Sequence, residues 1–471
     1  MIKKLCLIFV IFFVFSKTAF AYDFYWSGHY SSEANYFSGV DLGNSNDGDK
    51  SYINQHLFLQ PEIILFSGLS VKGAIDVLNS ATDTLPSSQR IGQVLGGGLV
   101  GTGTVADQDA VFVDRIIERN RGLNINEAYL EYAHTNGVLR VGRFPLHFGL
   151  GAFYNKGHNV FDHWFTNRDG VAYDFQFGNL YFKPMFSFIT DSLNTSGGRV
   201  IEYGLEFHFK VEDTGLDLGA MVLQRSVTAE ANEGSSLGAT QGTASPLFAS
   251  LFYQRTGKSY SYGFEGFFQS GDVGQNADGD TVSLEGLGIA LEGEFRAGKW
   301  DFKGKAGYAT GDSNSDNAYS AVAFNRNYNL GLILFNHPLS TGTFDPTQTN
   351  PRGRLAGRDP ANFVASGTAD TDAISNTMYF APSFNYNFND TWNLDTTLVF
   401  AWLQETEILS SGEASAYLGS EVDLTLTYKP TENIICSGTF GFLLPGSAFE
   451  GDGSLESDMT FGSTFSLGII F

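Results

Sequence analysis

The last twelve residues, "TFGSTFSLGIIF" (Thr460–Phe471), alternate between apolar side chains and small or polar ones. The apolar side chains that share one parity are Phe461, Phe465, Leu467, Ile469 and Phe471. Positions 462, 464, 466 and 468 on the other parity are glycine, threonine or serine. A period of two predicts a β-strand with one apolar face. Because such an edge would invite aggregation in water, the strand is expected to pair with another strand and to face an apolar surrounding.

The first residues are typical of a secretory signal peptide. A basic start precedes an apolar run of 11 residues, "LCLIFVIFFVF" (Leu5–Phe15), and a small-x-small site ends at Ala21. This run is too short to cross a bilayer as a helix, which needs about 20 apolar residues. We therefore expect residues 1–21 to be a cleaved signal peptide and residues 22–471 to form a single domain.

The composition excludes several classes of protein. The chain of 471 residues has a formal net charge of −23, which argues against nucleic acid as a partner. Cys436 is the one cysteine after the expected signal peptide, so no intrachain disulfide is expected. Phe (43), Gly (55) and Tyr (21) are abundant. No second apolar stretch approaches the ~18 residues of a membrane helix.

Aromatic and β-branched residues at period two predict about eighteen strands. The predicted strands are 24–36, 50–66, 69–79, 122–135, 137–148, 168–177, 179–190, 199–210, 215–226, 245–256, 258–270, 282–297, 299–310, 374–388, 392–404, 417–428, 433–443 and 460–471. Strands of soluble proteins average about 5–6 residues, whereas a tilted membrane-crossing strand needs about 9–11. The lengths therefore favour an all-β, transmembrane antiparallel β-barrel.

The connections between these strands alternate between long and short. Outer-membrane barrels have short periplasmic turns and long extracellular loops, which is the pattern here. An even strand number places both termini at the periplasmic end, and closure requires 460–471 to pair with 24–36. We expect Trp26, Trp300, Trp392 and Trp402 to lie in the aromatic belts at the two membrane interfaces.

The alternation also predicts which side chains face the lumen. Along 199–210, for example, Ile201 and Tyr203 oppose Glu202 and Glu206. The candidate pore-lining residues are Arg140, Arg143, Arg168, Lys183, Arg225, Lys303, Lys305, Glu127, Glu131, Glu202, Glu206 and Asp301. Either these charges pair across strands and brace the wall, or they form a transverse field. Arg143 has the outward parity and would reach the lumen only if a bulge beside Gly142 turned it.

Two long loops are candidates for folding into the barrel. Loop 311–373 contains an apolar patch, "YNLGLILF" (Tyr328–Phe335), that should not stand in water. It also carries the candidate constriction residues Arg352, Arg354 and Arg358. The alternatives are packing against neighbouring loops or an additional hairpin. Loop 80–121 is a second candidate for the same behaviour.

Two stretches carry a resemblance to a known family. "NEAYLEYAHTNGVLRVGRFPLHFGLGAFYNKG" (Asn126–Gly157), with "FDHWFTNRDGVAYDF" (Phe161–Phe175) after it, resembles a segment of alginate-export-type porins. The resemblance implies a monomeric barrel of eighteen strands, and Arg140, Arg143 and Arg168 stand at the motif positions. A C-terminal aromatic such as Phe471 resembles the signal that the barrel-assembly machinery reads. The lumen charges here are mixed, whereas an alginate exporter needs a dense basic belt.

The sequence thus predicts a porin of the bacterial outer membrane for passive diffusion of small hydrophilic solutes or oligosaccharides. The alternatives are a polysaccharide (alginate-like) export porin and a structural major outer-membrane protein or adhesin. No catalytic, cofactor-binding or metal-binding residues are predicted, because the histidines lack a nucleophile motif and suitable ligand partners. The expected partners are outer-membrane lipid and lipopolysaccharide, the barrel-assembly machinery acting on the C-terminal strand, and the solutes.

Overall fold

The computed structural model describes residues 23–40, 42, 49–77, 79, 123–191, 199–229, 242–275, 279–313, 318–336, 339, 373–406, 416–450 and 458–471. The expected signal peptide, loop 80–121 and the loop arginines Arg352, Arg354 and Arg358 lie outside these residues. Within the described residues, no helix is long and apolar enough to span a membrane.

Eighteen long antiparallel strands form one closed sheet, which confirms the predicted fold class. The strands are β1 (Asp23–Ser38), β2 (Lys50–Phe66), β3 (Leu69–Val77), β4 (Leu123–His134), β5 (Gly137–Pro145), β6 (Asn167–Phe177), β7 (Leu180–Asp191), β8 (Arg199–Val211), β9 (Leu216–Val227), β10 (Leu247–Thr256), β11 (Tyr260–Gln275), β12 (Thr281–Ala297), β13 (Trp300–Ala309), the two-residue β14 (Ala318–Tyr319), β15 (Thr377–Asn387), β16 (Trp392–Leu403), β17 (Tyr417–Thr431), β18 (Ile434–Pro445) and β19 (Thr460–Ile470). Short 3₁₀ turns occupy Glu212–Thr214 and Ser447–Glu450.

The C-terminal strand closes the barrel as predicted. β19 pairs antiparallel with β1, and Ser32 lies opposite Leu467. Phe471 extends the ladder, since its N–H donates to the carbonyl of Gly28 at 3.0 Å and its carbonyl accepts from Gly28 at 2.9 Å. Closure gives each long strand two neighbours, so the sheet has no free edge that would leave backbone groups unpaired in lipid.

The outer face of the barrel is apolar. On β8, exposed Tyr203, Phe207 and Phe209 alternate with buried Glu202 and Glu206. The same alternation recurs around the ring and exposes far more apolar surface than a protein in water tolerates. Lipid is the surrounding that such a band requires. The chain is therefore a transmembrane β-barrel of the bacterial outer membrane.

The two ends of the barrel differ, as the sequence predicts. Eight turns of two to four residues join the strands at one end, which we call the short-turn end. Gly68 in the first of them has φ of +85°, and an added Cβ would lie 2.3 Å from the carbonyl oxygen of Ala133. Trp26, Trp300 and Trp392 are half exposed near this end, and Trp402 is exposed near the other. In outer-membrane barrels the short turns face the periplasm.

Among the residues that the structure describes, two segments leave the wall and enter the lumen, and we call them inward segments. The first comprises residues 146–166 and the second residues 320–336. β5 ends at Pro145, three residues before the predicted end at 148, because the chain turns inward there. Phe148, Phe153 and Phe324 belong to one buried apolar cluster inside the barrel. Part of the lumen is therefore packed, as the apolar patch Tyr328–Phe335 suggested for loop 311–373, whereas the inward course of residues 146–166 was not predicted.

Candidate functional site in the barrel lumen

A wall carboxylate holds the first inward segment at its glycine-rich part. Glu265 on β11 accepts hydrogen bonds from the backbone N–H groups of Leu150 and Ala152, at 2.8 and 3.2 Å. Gly149 has φ of +58°, and an added Cβ would lie 2.8 Å from the same carboxylate. Only glycine combines that conformation with so close an approach. Both N–H groups donate to the same carboxyl oxygen, so Glu265 anchors the segment.

Two histidines hold the other end of this segment against the opposite wall. The Nε2 atom of His158 lies 2.5 Å from Glu127, and that of His163 lies 2.6 Å from Glu33. Burial acts to lower the pKa of His163, but the hydrogen bond and negative charge of Glu33 outweigh it and raise that pKa. Each of these histidines thus links the segment to a carboxylate of β1 or β4.

The second inward segment is held by two carboxylates of β17. Glu421 accepts from the backbone N–H groups of Ile333 and Leu334, both at 2.7 Å. Asp423 accepts from the N–H of Leu332 at 2.9 Å. These bonds bring the apolar patch Tyr328–Phe335 inside the barrel, where most of it is buried. This part of loop 311–373 folds inward, but the constriction role of its arginines stays a prediction.

The two inward segments contact each other. Asn325 donates its backbone N–H to the carbonyl of Ala152 at 2.6 Å. The rings of Phe153 and Phe324 lie 4.6 Å apart, and the guanidinium of Arg326 lies 4.4 Å from the Trp164 ring centroid. Together they form one body that is tied to β1, β4, β11 and β17.

Three predicted pore residues meet in a fully buried ion-pair row on the inner face of β6, β8 and β9. Glu202 on β8 pairs with Arg168 at 2.6 Å and with Arg225 at 2.8 Å. All three side chains are 0% exposed. They face the interior but present no surface to a solute.

Most other predicted pore residues are also paired across strands. Glu131 contacts Arg140 at 2.9 Å and Lys72 at 2.8 Å, and Arg140 also contacts Asp174. The remaining contacts are Lys183 with Glu206 at 2.5 Å and Glu127 with His158. This arrangement supports the interpretation that the charges brace the wall.

Arg143 lies on the outer face. It stands opposite Ala128 and Asp169, and β5 pairs with β4 and with β6 without a register shift beside Gly142. The bulge that would have turned this side chain inward is therefore not formed. Arg143 instead makes two hydrogen bonds to Asp169, at 2.6 and 2.9 Å. The two charged side chains pair on the outer face, where Val141 is also exposed.

A cavity of about 340 Å³ lies in the short-turn half of the lumen, below both inward segments. Its charged lining residues are Glu292, Glu294, Lys303, Lys305 and Asp395. Leu150 and Leu330 of the inward segments also line it.

The lysines of this cavity are loosely paired. Lys303 lies 3.5 Å from Asp395 and Lys305 lies 3.4 Å from Glu292, and their side chains are 43% and 36% exposed. The predicted pore residue Asp301 accepts from Asn387 at 2.9 Å. Of the predicted basic residues, Lys303 and Lys305 therefore have the side chains most accessible from the lumen.

The sequence did not single out the carboxylates that hold the inward segments. Glu265, Glu421 and Asp423 are lumen-facing by parity, but nothing local distinguishes them from other wall acids. One usable signal is the glycine-rich run Gly149–Phe153, because two closely spaced glycines indicate a backbone that approaches another group.

Comparisons with known proteins assign no family to this chain. Protein-family models give no match, and neither do curated proteins. A BenF-like porin from Pseudomonas fluorescens Pf-5 is 11% identical, with a TM-score of 0.48 over 95% of this chain and 98% of that chain. The outer membrane protein opdK from Pseudomonas aeruginosa is 9% identical, with a TM-score of 0.48 over 95% and 98%. The outer membrane channel DcaP of Acinetobacter baumannii is 13% identical, with a TM-score of 0.41 over 97% and 99%. These values are too low to carry a function from one chain to another.

Proposed function

We propose that this protein is an outer-membrane channel through which small hydrophilic solutes diffuse. The observation that carries the proposal is the charged cavity in the short-turn half of the lumen, where Lys303 and Lys305 remain partly exposed. A barrel of eighteen strands is wide enough to enclose such a passage. The inward segments narrow it, which favours small solutes over large ones.

The pairing of the lumen charges favours a small solute over a polyanion. A chain of negative charges needs a continuous track of accessible cations. Here Arg168 and Arg225 are buried and share one carboxylate, that of Glu202. Arg140 and Lys183 also have close acidic partners. Polysaccharide export therefore has less support than passive diffusion, although the sequence resemblance suggested it.

Conductance in planar lipid bilayers tests the proposal. We expect the purified full-length protein to produce stepwise current increases, and the same protein unfolded before addition to produce none. Liposome swelling should be rapid with a pentose and absent with a long polysaccharide, because the inward segments limit the size of the passage. A folded, inserted barrel that neither conducts nor admits the pentose would contradict the proposal and favour a structural role.

A further inference from the structure

We infer that the cavity below the inward segments is a binding site for a zwitterionic solute, namely a free amino acid with an apolar side chain. The inference rests on the proposed channel function and adds a solute class to it. The site is formed by Glu292 and Glu294 of β12, Lys303 and Lys305 of β13, and Asp395 of β16.

The charged groups of this cavity are available to a ligand, unlike the buried ion-pair row of β6, β8 and β9. In that row Glu202 contacts Arg168 at 2.6 Å and Arg225 at 2.8 Å, and all three side chains are fully buried. The contacts of Lys303 and Lys305 are longer, at 3.5 and 3.4 Å, and both side chains are partly exposed. Loose, solvated pairs contribute little to stability, so a ligand can replace them at small cost.

The register of β12 and β13 places two pairs of opposite charges side by side. Lys305 lies opposite Glu292, and Lys303 lies opposite Glu294. A ligand carboxylate can bind between the two lysines while its ammonium group faces the two glutamates. Glu294 also pairs with Arg296 at 2.8 Å, so Glu292 is the freer partner for the ammonium group.

The balance of charge selects against anions. The cavity carries three carboxylates, including Asp395, against two lysines. Arg296 offsets Glu294, so two lysines and two carboxylates remain for a ligand. A dicarboxylate would leave those two carboxylates without a partner of opposite charge, whereas a zwitterion satisfies both signs.

Neighbouring groups hold several of these side chains in place before a ligand enters. Asp395 accepts from Ser383 at 2.6 Å and from Thr397 at 3.0 Å. Lys305 donates to the carbonyl of Asn329 at 3.2 Å, and its Nζ lies 4.2 Å from the Tyr328 ring centroid. A site with fixed polar groups loses less entropy on binding than a mobile one.

The size and lining of the cavity indicate the rest of the ligand. Its volume of about 340 Å³ lies in the lower part of the range for small-molecule sites, which is about 300–1,000 Å³. Leu150 and Leu330 of the inward segments supply apolar surface above the charged groups. An apolar amino-acid side chain matches that surface, since its contact with leucine removes apolar area from water.

Three related probes test the charge requirement in planar bilayers. They are L-leucine, 4-methylpentanoate, which lacks the ammonium group, and 3-methylbutylamine, which lacks the carboxylate. We expect leucine to reduce the single-channel current at a concentration about tenfold lower than either analogue, which corresponds to about 1.4 kcal/mol. Equal effects of all three probes would overturn the inference and leave the channel function intact.

Variants test the residues. Lys303→Gln and Lys305→Gln should each raise the half-blocking leucine concentration about tenfold and should leave the effect of 3-methylbutylamine unchanged. Lys210→Gln is the matched control, because Lys210 is 45% exposed and paired with Asp217 away from the cavity. Unchanged leucine block in both cavity variants would overturn the inference.

Equilibrium dialysis of radiolabelled leucine against the detergent-solubilised full-length barrel separates the site from the channel. Binding that the two lysine variants reduce would support the site even if the barrel failed to conduct. No binding by a barrel that conducts would reject the site alone.

Discussion

The wall of β6–β9 and the wall of β12–β16 use the same kind of ion pair for different purposes. In the first wall, Arg168, Glu202 and Arg225 are fully buried, and Tyr154 of the first inward segment lies 5.9 Å from the Arg168 guanidinium. In the second wall, Lys303 and Lys305 face a cavity and remain partly exposed. The difference shows that the cover over a lumen charge determines whether it is buried in the wall or remains accessible from the lumen.

Removing the buried carboxylate should have the largest effect. Glu202→Ala leaves two buried arginines without their shared partner, and a broken buried pair costs about 3–5 kcal/mol. We expect the urea midpoint of the barrel in lipid vesicles to fall accordingly. Glu292→Ala in the cavity wall is the matched control and should cost no more than about 1 kcal/mol, because its pair is exposed. Equal losses for the two variants would remove the distinction between the walls.

The anchor of the first inward segment should have the next largest effect. Glu265→Ala leaves the N–H groups of Leu150 and Ala152 without their acceptor. An unsatisfied buried donor costs about 1–3 kcal/mol. We expect faster proteolysis within residues 146–166, measured on the folded barrel. Glu285→Ala changes an exposed acid of β12 and should leave the rate of proteolysis unchanged. An equal increase of that rate in both variants would contradict the anchoring role of Glu265.

The contact of His163 with Glu33 should weaken as the pH rises. Burial lowers the pKa of His163, but Glu33, with Asp76 and Asp162, raises it overall. His56 also faces this ring, at 5.6 Å between centroids. A raised pKa in the folded state means that the stabilisation is complete below the ordinary value of about 6.5 and is lost as the pH passes the raised value.

We therefore expect the first inward segment to exchange its amide hydrogens faster above the raised pKa than below about pH 6, after correction for intrinsic exchange. His163→Phe should abolish this pH dependence. His134→Gln, at an exposed histidine beside a short turn, should retain it. A wild-type segment whose corrected exchange is the same at both pH values would show that this contact does not hold it.

The smallest expected effect concerns ion selectivity. Lys303→Gln removes an accessible positive charge, so the reversal potential in a salt gradient should shift modestly toward cations. Lys183→Gln changes a lysine that is 17% exposed and paired with Glu206 at 2.5 Å, and it should shift the potential less. The opposite order would show that the covered wall also contacts passing ions.

The local pattern was sufficient for the barrel itself. The predicted strand 460–471 appears as β19 and pairs with β1 as closure requires. The predicted eight short turns are all present. Parity placed Glu202 and Glu206 on the inner face of β8 and Tyr203 on the outer face. Parity was also the better guide for Arg143, which stays outside because no bulge turns it.

The inward segments could not be predicted in the same way. Glu265 and Leu150 are separated by 115 positions, and His163 and Glu33 by 130. Such partners come together only in the tertiary structure, and no local periodicity indicates which wall acid a loop will contact. The sequence indicated that Tyr328–Phe335 should avoid water, but it did not indicate that β17 would hold it.

The sequence by itself determined the strands, the faces of their side chains and the closure of the sheet. The reason is that strand length and the period-two alternation of side chains are local properties, and a lipid surrounding requires both. The tertiary structure alone decided which lumen charges are covered and which line the cavity. That choice depends on where two loops cross the closed ring. Contacts between residues far apart in the chain determine that path.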